Sequence, residues 1–293
     1  MKTIAVVGLG VMGKNHVTVL GQFPGIRIVL ADALVKNHPA GPVYATHLDL
    51  LAQEKVDAAI VAVPTQFHYA VARSFIEQGI PTLIEKPVAT TPTEAQSLIE
   101  LRNTHKTPLV VGHVERFNPA IQALKHALHG TTIRAIHIQR LSPFPARIQD
   151  VGILADLAVH DLDLIRFLGS TISEIAISKQ QWVHATQEDY ATLVLKTQSG
   201  ISGLIQTHWH SPMRRRLVEV FTENGLYQAD LLTQELTFSE PHHNGHTVQS
   251  KYVKKGEALR LELAAFLGLC ENPETPTDLA TLEDGKITLE LIS

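Results

Sequence analysis

The stretch Gly8-Leu9-Gly10-Val11-Met12-Gly13 directly follows the apolar run Thr3–Val7 and precedes a helical pattern. In a G-x-G-x-x-G turn, the first glycine makes the tight turn and the second lets backbone approach a pyrophosphate. The third glycine lets the helix pack closely on the strand. The helix N-terminus then offers unpaired N–H groups to an anion. The stretch predicts the opening of a dinucleotide-binding fold, although a turn without a ligand and an S-adenosylmethionine enzyme stay open as alternatives.

Strand and helix patterns alternate from this motif to about Gly112. Helical patterns at Tyr69–Gln78 and Thr93–Asn103 separate short apolar runs. The runs lie at Thr3–Val7, Ile26–Ala31, Asp57–Val63, Pro81–Ile84 and Pro108–Gly112. Near-continuous apolar strands alternating with helices predict a parallel, doubly wound α/β sheet of the Rossmann type.

The pattern changes in the second half of the chain. Alternating apolar and polar residues recur from Glu174 onward, with hairpin-like turns at Gln198–Gly200 and Glu223–Gly225. These features predict an α+β domain with a large, open, mainly antiparallel sheet. We expect a cofactor domain over residues 1–115 and a substrate-binding and oligomerisation domain over residues 116–293.

Composition excludes several classes of protein. The 293 residues are 44% hydrophobic and 18% charged, with a net charge of −4. This balance argues against disorder and against nucleic-acid or anionic-membrane partners. No apolar run is long enough for a spanning helix, Lys2–Gly8 leaves no room for a signal segment, and the single cysteine, Cys270, excludes an internal disulfide. We therefore expect a soluble, cytoplasmic protein.

Asp32 ends the second predicted strand, nineteen residues after Gly13. An acid at this place accepts hydrogen bonds from the adenosine ribose hydroxyls and repels a 2′-phosphate. Asp32 therefore favours NAD over NADP, with an ordinary turn residue as the alternative.

Two further segments carry polar residues suited to catalysis. Glu85-Lys86-Pro87 ends the fourth strand, at the sheet edge where open α/β folds bind ligands. Asp156, His160 and Asp163 are spaced i, i+4 and i+7, so they share one face of a predicted helix. Taken alone, the two patterns favour the simpler explanation of a solvated lysine and the solvent face of an amphipathic helix.

Together with Val63-Pro64-Thr65-Gln66-Phe67-His68, these motifs resemble the glucose–fructose oxidoreductase / inositol dehydrogenase (Gfo/Idh/MocA) family over nearly the whole chain. The resemblance implies that Lys86 and His160 face the nicotinamide as catalytic residues, with Asp156 beside them. It also implies a cis bond between Lys86 and Pro87. The glycine motif, the acid and the resemblance together predict these NAD-binding residues: Gly8, Gly10, Val11, Met12, Gly13, Asp32, Pro64, Thr65, His68, Glu85 and Lys86.

The chemistry of alcohol oxidation agrees with this implication. A hydride leaves carbon while a proton leaves oxygen, and a neutral imidazole such as that of His160 is suited to take the proton. The ammonium of Lys86 would stabilise developing alkoxide charge. The Asp156 carboxylate would orient the imidazole or bind a neighbouring hydroxyl.

A narrower resemblance concerns the substrate. Val111–Pro119, Ser142–Arg147, Asp150–Ile153 and Asp230–Leu236 resemble the UDP-N-acetylglucosamine 3-dehydrogenase branch of the family. It implies oxidation of the sugar 3-hydroxyl, with substrate contacts from Lys86, Arg116, Arg147, Asp156 and His160. Arg214–Arg216 is a further candidate for the diphosphate, with a solvated strand edge as the alternative.

Other interpretations of the function stay open at this point. A dehydrogenase of a free sugar or cyclitol, an NAD-recycling glycoside hydrolase and a non-catalytic NAD- or sugar-sensing regulator would all share this fold. We expect no metal site, despite His208-x-His210 and His242-His243-x-x-His246, and we expect a homodimer or homotetramer. The segment Ala33–Val43 is shorter and more broken than the family pattern, and the last helix is expected to be clipped or unusually short.

Overall fold

The computed structural model describes residues 1–144, 152–183 and 186–293. Contacts divide the chain into two compact units. The first holds Met1–Val114, Leu259–Leu291 and Ser293, and the second holds Glu115–Ala258 and Ile292. The break after Val114 lies next to the predicted boundary at residue 115.

A parallel sheet forms the centre of the first unit. Its strands are β1 Lys2–Val7, β2 Ile26–Ala31, β3 Val43–Tyr44, β4 Ala58–Val61, β5 Thr82–Glu85 and β6 Leu109–Gly112. They lie in the order β6-β5-β4-β1-β2-β3, and every pairing among these six is parallel. The strand order reverses between β1 and β4, and in such folds ligands bind at the carboxyl ends of the strands beside this reversal.

Helices alternate with these strands. They are α1 Val11–Leu20, α2 His47–Gln53, α3 His68–Ile76 and α4 Pro92–His105. Local sequence explains the start of α4, because the Thr91 hydroxyl accepts a hydrogen bond from the Glu94 N–H and Pro92 needs no partner in the first turn. The predicted doubly wound α/β fold is confirmed.

The connection after β2 is irregular. Residues 33–42 contain no helix, and a Cβ on Gly41 would collide with the carbonyl oxygen of Ile28. An ion pair secures this side of the sheet instead. Glu54, at the end of α2, accepts hydrogen bonds from both terminal nitrogens of Arg27, each at 2.7 Å, and from the Tyr44 hydroxyl at 2.8 Å.

A mixed sheet dominates the second unit. Its strands are β7 Ile133–Pro143, β8 Ile172–Gln180, β9 Tyr190–Thr197, β10 Ser202–His208, β11 His210–Thr222, β12 Leu226–Asp230, β13 Glu235–His242 and β14 Gly245–Lys251. The order is β14-β13-β12-β11-β7-β10-β9-β8, with β7 and β10 parallel and the other described pairings antiparallel. The predicted mainly antiparallel sheet is therefore confirmed, as are the hairpin turns at Gln198–Gly200 and Glu223–Gly225.

Helices cover one face of this sheet. The helix α5, Pro119–Ala127, packs on β12 and β13, and α6, Val159–Leu168, packs on β10. A π-helical turn over Leu154–Ala158 leads into α6. On the other face, alternate residues such as Leu204 and Gln206 are half-buried, so the sheet is open on that side.

The C-terminal segment packs with the first unit, although the sequence analysis assigned it to the second domain. It contains α7 Ala258–Glu271, β15 Ala280–Thr281 and α8 Leu282–Ile292. The strand β15 pairs antiparallel with β6 and extends the first sheet. Gly285 of α8 lies so close to Val88 and Val111 that a Cβ there would be 2.9 to 3.2 Å from their side chains. The backbone pairing and this close packing explain the reassignment.

Glu54→Gln is expected to lower the free energy of unfolding by about 1 kcal/mol near neutral pH. Hydrogen bonds from Arg27 and Tyr44 lower the pKa of Glu54 to about 2. The ionised pair therefore stabilises the fold above the ordinary carboxyl pKa, and this stabilisation is lost as pH falls toward 2. Urea unfolding at successively lower pH should show the difference from wild type shrinking. Glu174→Gln, at an exposed position on β8, is the control.

Candidate functional site

The glycine motif forms the turn between β1 and α1. Gly8 has φ +92°, and a Cβ on it would lie 2.6 Å from the carbonyl oxygen of Ala62. A Cβ on Gly13 would collide with the carbonyl oxygen of Gly8. Both positions therefore exclude any side chain, for the reasons predicted from the sequence.

Gly10 differs from the other two glycines. It is exposed, and a Cβ on it would meet no atom within 4 Å. Gly10 is also the N-cap of α1 and provides no side-chain cap for the first turn. The turn thus leaves open space in front of unpaired N–H groups at a helix N-terminus, which is the environment that a pyrophosphate requires.

Asp32 anchors this turn. Its carboxylate accepts hydrogen bonds from the backbone N–H groups of Leu9 at 2.7 Å, Leu34 at 2.8 Å and Val35 at 2.9 Å. Partial burial acts to raise the pKa of Asp32, but these N–H groups outweigh it and hold the pKa below its ordinary value. An ionised, half-exposed carboxylate at the end of β2 suits ribose hydroxyls and opposes a 2′-phosphate.

The other predicted cofactor contacts in this region differ in exposure. Val11 and Pro64 are exposed, and Met12 and Thr65 are half-buried. His68, in contrast, is 1% exposed, with Nδ1 2.8 Å from the Pro87 carbonyl oxygen and Nε2 2.8 Å from that of Val63. The structure therefore corrects the prediction for His68, because its ring joins two turns of the chain and presents no surface to a cofactor.

Glu85 ends β5 and is followed by Lys86 and Pro87, and the Lys86–Pro87 bond is cis, as the resemblance implied. Glu85 is buried, and its Oε1 lies 2.7 Å from Nε2 of His16 on α1. Burial acts to raise the pKa of Glu85, but the His16 hydrogen bond and charge hold it below its ordinary value. Glu85 therefore packs beneath the turn, while Lys86 and Pro87 are half-buried and keep some exposure.

His16 is a part of this site that was not predicted from the sequence. It lies three residues after Gly13 on the buried face of α1 and is 0% exposed. A histidine amid apolar helix positions was a detectable signal, because a buried imidazole needs a polar partner.

Asp156 lies in the π-helical turn and His160 in the first turn of α6, and both are half-buried. Single π turns inside helices occur frequently at functional sites. Asp163, predicted to share their polar face, is instead 1% exposed and accepts two hydrogen bonds from Arg116, at 2.6 and 2.7 Å. Of the three predicted residues, Asp156 and His160 are therefore the two whose side chains keep some exposure.

Arg116 also departs from its predicted role. Besides the ion pair with Asp163, its guanidinium lies 4.9 Å from the centre of the Phe167 ring. Arg116 is 6% exposed, so its charge is committed to α6 and is not available to a substrate diphosphate. The structure assigns it to anchoring the helix.

A second buried ion pair anchors the same helix. Arg140 of β7 donates to Asp161 at 2.7 to 3.1 Å and to Glu115 at 2.9 Å. Arg216 also donates to Glu115, at 3.0 Å, while Arg214 and Arg215 are exposed. Burial acts to lower the pKa of Arg140, but the surrounding carboxylates raise it well above its ordinary value, so the guanidinium stays charged. The arginine run is thus divided between this network and the surface.

Arg147, the remaining predicted substrate contact, lies outside the described residues. Within the described ranges, no group of three metal-ligating side chains is placed to hold an ion, and no helix is long and apolar enough to cross a membrane. Burial raises the pKa of Cys270 to about 12, which leaves its thiol protonated and unreactive.

Comparison with known proteins shows the family to which the chain belongs. Residues 2–113 match the model described as the oxidoreductase family with an NAD-binding Rossmann fold, and residues 130–228 match the C-terminal domain of the same GFO/IDH/MocA family. A UDP-N-acetylglucosamine 3-dehydrogenase from Acidithiobacillus ferrooxidans is 33% identical over 56% of this chain and 53% of its own length. Inositol 2-dehydrogenase 2 from Saccharopolyspora erythraea is 27% identical over 68% of this chain and 64% of its own length.

A solved structure of UDP-N-acetylglucosamine 3-dehydrogenase GnnA from Acidithiobacillus ferrooxidans superposes with a TM-score of 0.88 at 25% identity. The match covers 98% of this chain and 94% of that one. The sequence alignments, in contrast, span between half and two thirds of the curated relatives' own length.

Gly10→Ala and Gly13→Ala are expected to separate binding from folding. The new methyl group at Gly10 enters the open space, so NAD affinity should fall at least about tenfold with little change in melting temperature. The methyl group at Gly13 collides with backbone and should lower the melting temperature by several degrees. Calorimetric titration with NAD and thermal unfolding measure both effects, and a stable Gly10→Ala variant with wild-type NAD affinity would contradict the assignment.

Arg140→Met is expected to destabilise the protein by about 3–5 kcal/mol, because it leaves Asp161 buried without its cation. Arg134→Met, at an exposed position on the same strand, should change stability by less than about 0.5 kcal/mol. Urea unfolding followed by circular dichroism compares the two variants. Equal effects would show that the buried network contributes nothing specific.

Proposed function

Because the chain belongs to the Gfo/Idh/MocA oxidoreductase family, we propose that it catalyses the NAD-dependent oxidation of the 3-hydroxyl of a UDP-N-acetylhexosamine. The choice of substrate in this proposal rests on the 33% identity to a UDP-N-acetylglucosamine 3-dehydrogenase. A solved structure of a UDP-N-acetylglucosamine 3-dehydrogenase also superposes on this chain with a TM-score of 0.88. The reaction type is supported by Lys86, Asp156 and His160, since a protein that only binds NAD has no need of an acid–base pair.

The first unit provides the residues that would hold NAD. Gly10 and the N-terminus of α1 receive the pyrophosphate, and Asp32 receives the adenosine ribose. Val11, Met12, Pro64 and Thr65 border this edge of the sheet. When bound, NAD supplies the nicotinamide carbon that accepts a hydride.

The remaining steps belong to side chains of this protein. His160 takes the hydroxyl proton onto an imidazole nitrogen as the C–H bond of the substrate breaks. The Lys86 ammonium donates a hydrogen bond to the same oxygen and stabilises its developing negative charge. Asp156, four residues before His160, orients the imidazole and favours its protonated form after the transfer.

The ion pairs beneath α6 support this role of His160. Asp161 and Asp163 follow it in sequence, and each is held by a buried arginine. Asp161 is held from β7 and Asp163 from the turn Val114–Phe117, so the two ion pairs restrict the rotation of α6 about its axis and with it the position of His160. A general base that is held in place before the substrate arrives lowers the cost of reaching the transition state.

A dehydrogenase of a free cyclitol is the second candidate. It is favoured by the 27% identity to an inositol 2-dehydrogenase, which covers a larger share of this chain than the first relative does. The same three catalytic residues would serve, with a different substrate pocket.

The test is to incubate the protein with NAD and UDP-N-acetylglucosamine and to follow NADH absorbance and the mass of the sugar, with a hydrazine present to trap the ketone. We expect a trapped 3-keto sugar, and a loss of about 10²–10⁴-fold in rate in His160→Ala and Lys86→Met. His129→Ala and Lys55→Met, at exposed positions, are the matched controls.

Myo-inositol and the corresponding free sugar are assayed in parallel. Turnover of inositol alone would favour the second candidate. Normal rates in both His160→Ala and Lys86→Met would refute the catalytic assignment, whichever substrate is used.

A further inference from the structure

A buried histidine–glutamate pair lies beside the proposed catalytic lysine and has no part in the chemistry described above. The side chain of His16 is 0% exposed and that of Glu85 is 8% exposed, with 2.7 Å between Nε2 and Oε1. His16 belongs to α1, the helix whose N-terminus faces the pyrophosphate position, and Glu85 ends β5. The pair therefore connects the cofactor-binding helix to the strand that directly precedes Lys86.

The Glu85 carboxylate is held from three directions. Its Oε1 contacts His16, and its Oε2 accepts the backbone N–H of Lys86 at 3.3 Å. On the third side, a Cβ on Gly112 of β6 would lie 3.2 to 3.3 Å from the carboxylate atoms. These contacts restrict the carboxylate, and its hydrogen bond with the Lys86 N–H couples its position to the backbone of that residue.

His16 is committed to this contact. Its Nδ1 makes no hydrogen bond within the described residues, so Nε2 provides the ring's polar contact. An apolar pair of similar volume would fill the same space without the desolvation that two polar groups incur. A buried polar pair instead specifies one geometry, because each partner loses a hydrogen bond when it moves.

We propose that His16 is a positioning residue for Lys86, acting through the Glu85 carboxylate. Its hydrogen bond sets the turn after β5 relative to α1, so the lysine is placed with respect to the pyrophosphate-binding end of the same helix. This inference rests on the proposed catalytic role of Lys86. It predicts that changes at His16 affect turnover more than they affect NAD affinity, because the Gly8–Gly13 turn is secured separately by Asp32.

His16→Gln and His16→Asn form the decisive comparison. A glutamine amide reaches about as far as the Nε2 of histidine and can still donate to Glu85, whereas an asparagine amide is too short. His16→Gln should keep most of the wild-type kcat, and His16→Asn should lose on the order of 10²-fold with little change in the Kd for NAD. Ile76→Val, a fully buried change on α3, controls for lost stability alone.

A second readout needs no turnover. Lysines are reductively methylated with carbon-13, and the Lys86 signal is assigned by its absence in Lys86→Met. With NAD bound, wild type and His16→Gln should give the same Lys86 chemical shift, and His16→Asn a different one. If His16→Asn only lowers the melting temperature, as Ile76→Val does, and leaves kcat and the Lys86 signal unchanged, the inference is overturned. Normal turnover in Lys86→Met would instead refute the proposed function, and the chemical shifts would still decide the role of His16.

Discussion

The carboxylates of Glu85, Asp161 and Asp163 are all buried, and a buried charge is tolerated only beside a cation or hydrogen-bond donor. Each of the three lies within three residues of one proposed to act in catalysis. Glu85 precedes Lys86 in the chain, and the two aspartates follow His160. Each carboxylate therefore needs a specific partner. Glu85 pairs with a histidine of α1, Asp161 with Arg140 and Asp163 with Arg116. The placement of the proposed catalytic side chains in both units depends on satisfying these charges.

Such pairs contribute more to position than to net stability. Removing water from both partners costs about as much as their attraction returns, so a hydrophobic replacement of the whole pair can be equally stable. A hydrophobic contact, however, tolerates sliding, whereas the two hydrogen bonds between Arg116 and Asp163 do not. These ion pairs therefore fix the orientation of α6. Glu115 accepts hydrogen bonds from both Arg140 and Arg216, and it thereby connects this network to the neighbouring strands β7 and β11.

The sequence was sufficient for features that depend on local pattern. The strand Ile26–Ala31 has its predicted bounds, and the roles of Gly8 and Gly13 follow from backbone contacts that their spacing implied. Features that depend on distant contacts were not predictable in the same way. The partner of Arg116 is 47 residues away, and the strand that receives Ala280–Thr281 lies far earlier in the chain. A hydrophobic pattern shows that a residue is buried but does not identify what it contacts.

The difference between local sequence patterns and distant contacts also limits what the sequence resemblance says about the substrate. Much of the stretch that resembles the nucleotide-sugar branch, Val111–Pro119, is buried scaffold: Glu115 and Arg116 hold ion pairs, and Asn118 donates to the carbonyl oxygen of Leu231 and caps α5. Resemblance there reflects how α5 and α6 are held and says little about a diphosphate. With Arg116 committed to Asp163, exposed cations in the described part of the second unit, such as Arg214 and Arg215, are candidates for a diphosphate. Substrate choice would then depend on surface residues that can change without disturbing the buried network, which allows one scaffold to serve nucleotide sugars in some relatives and cyclitols in others.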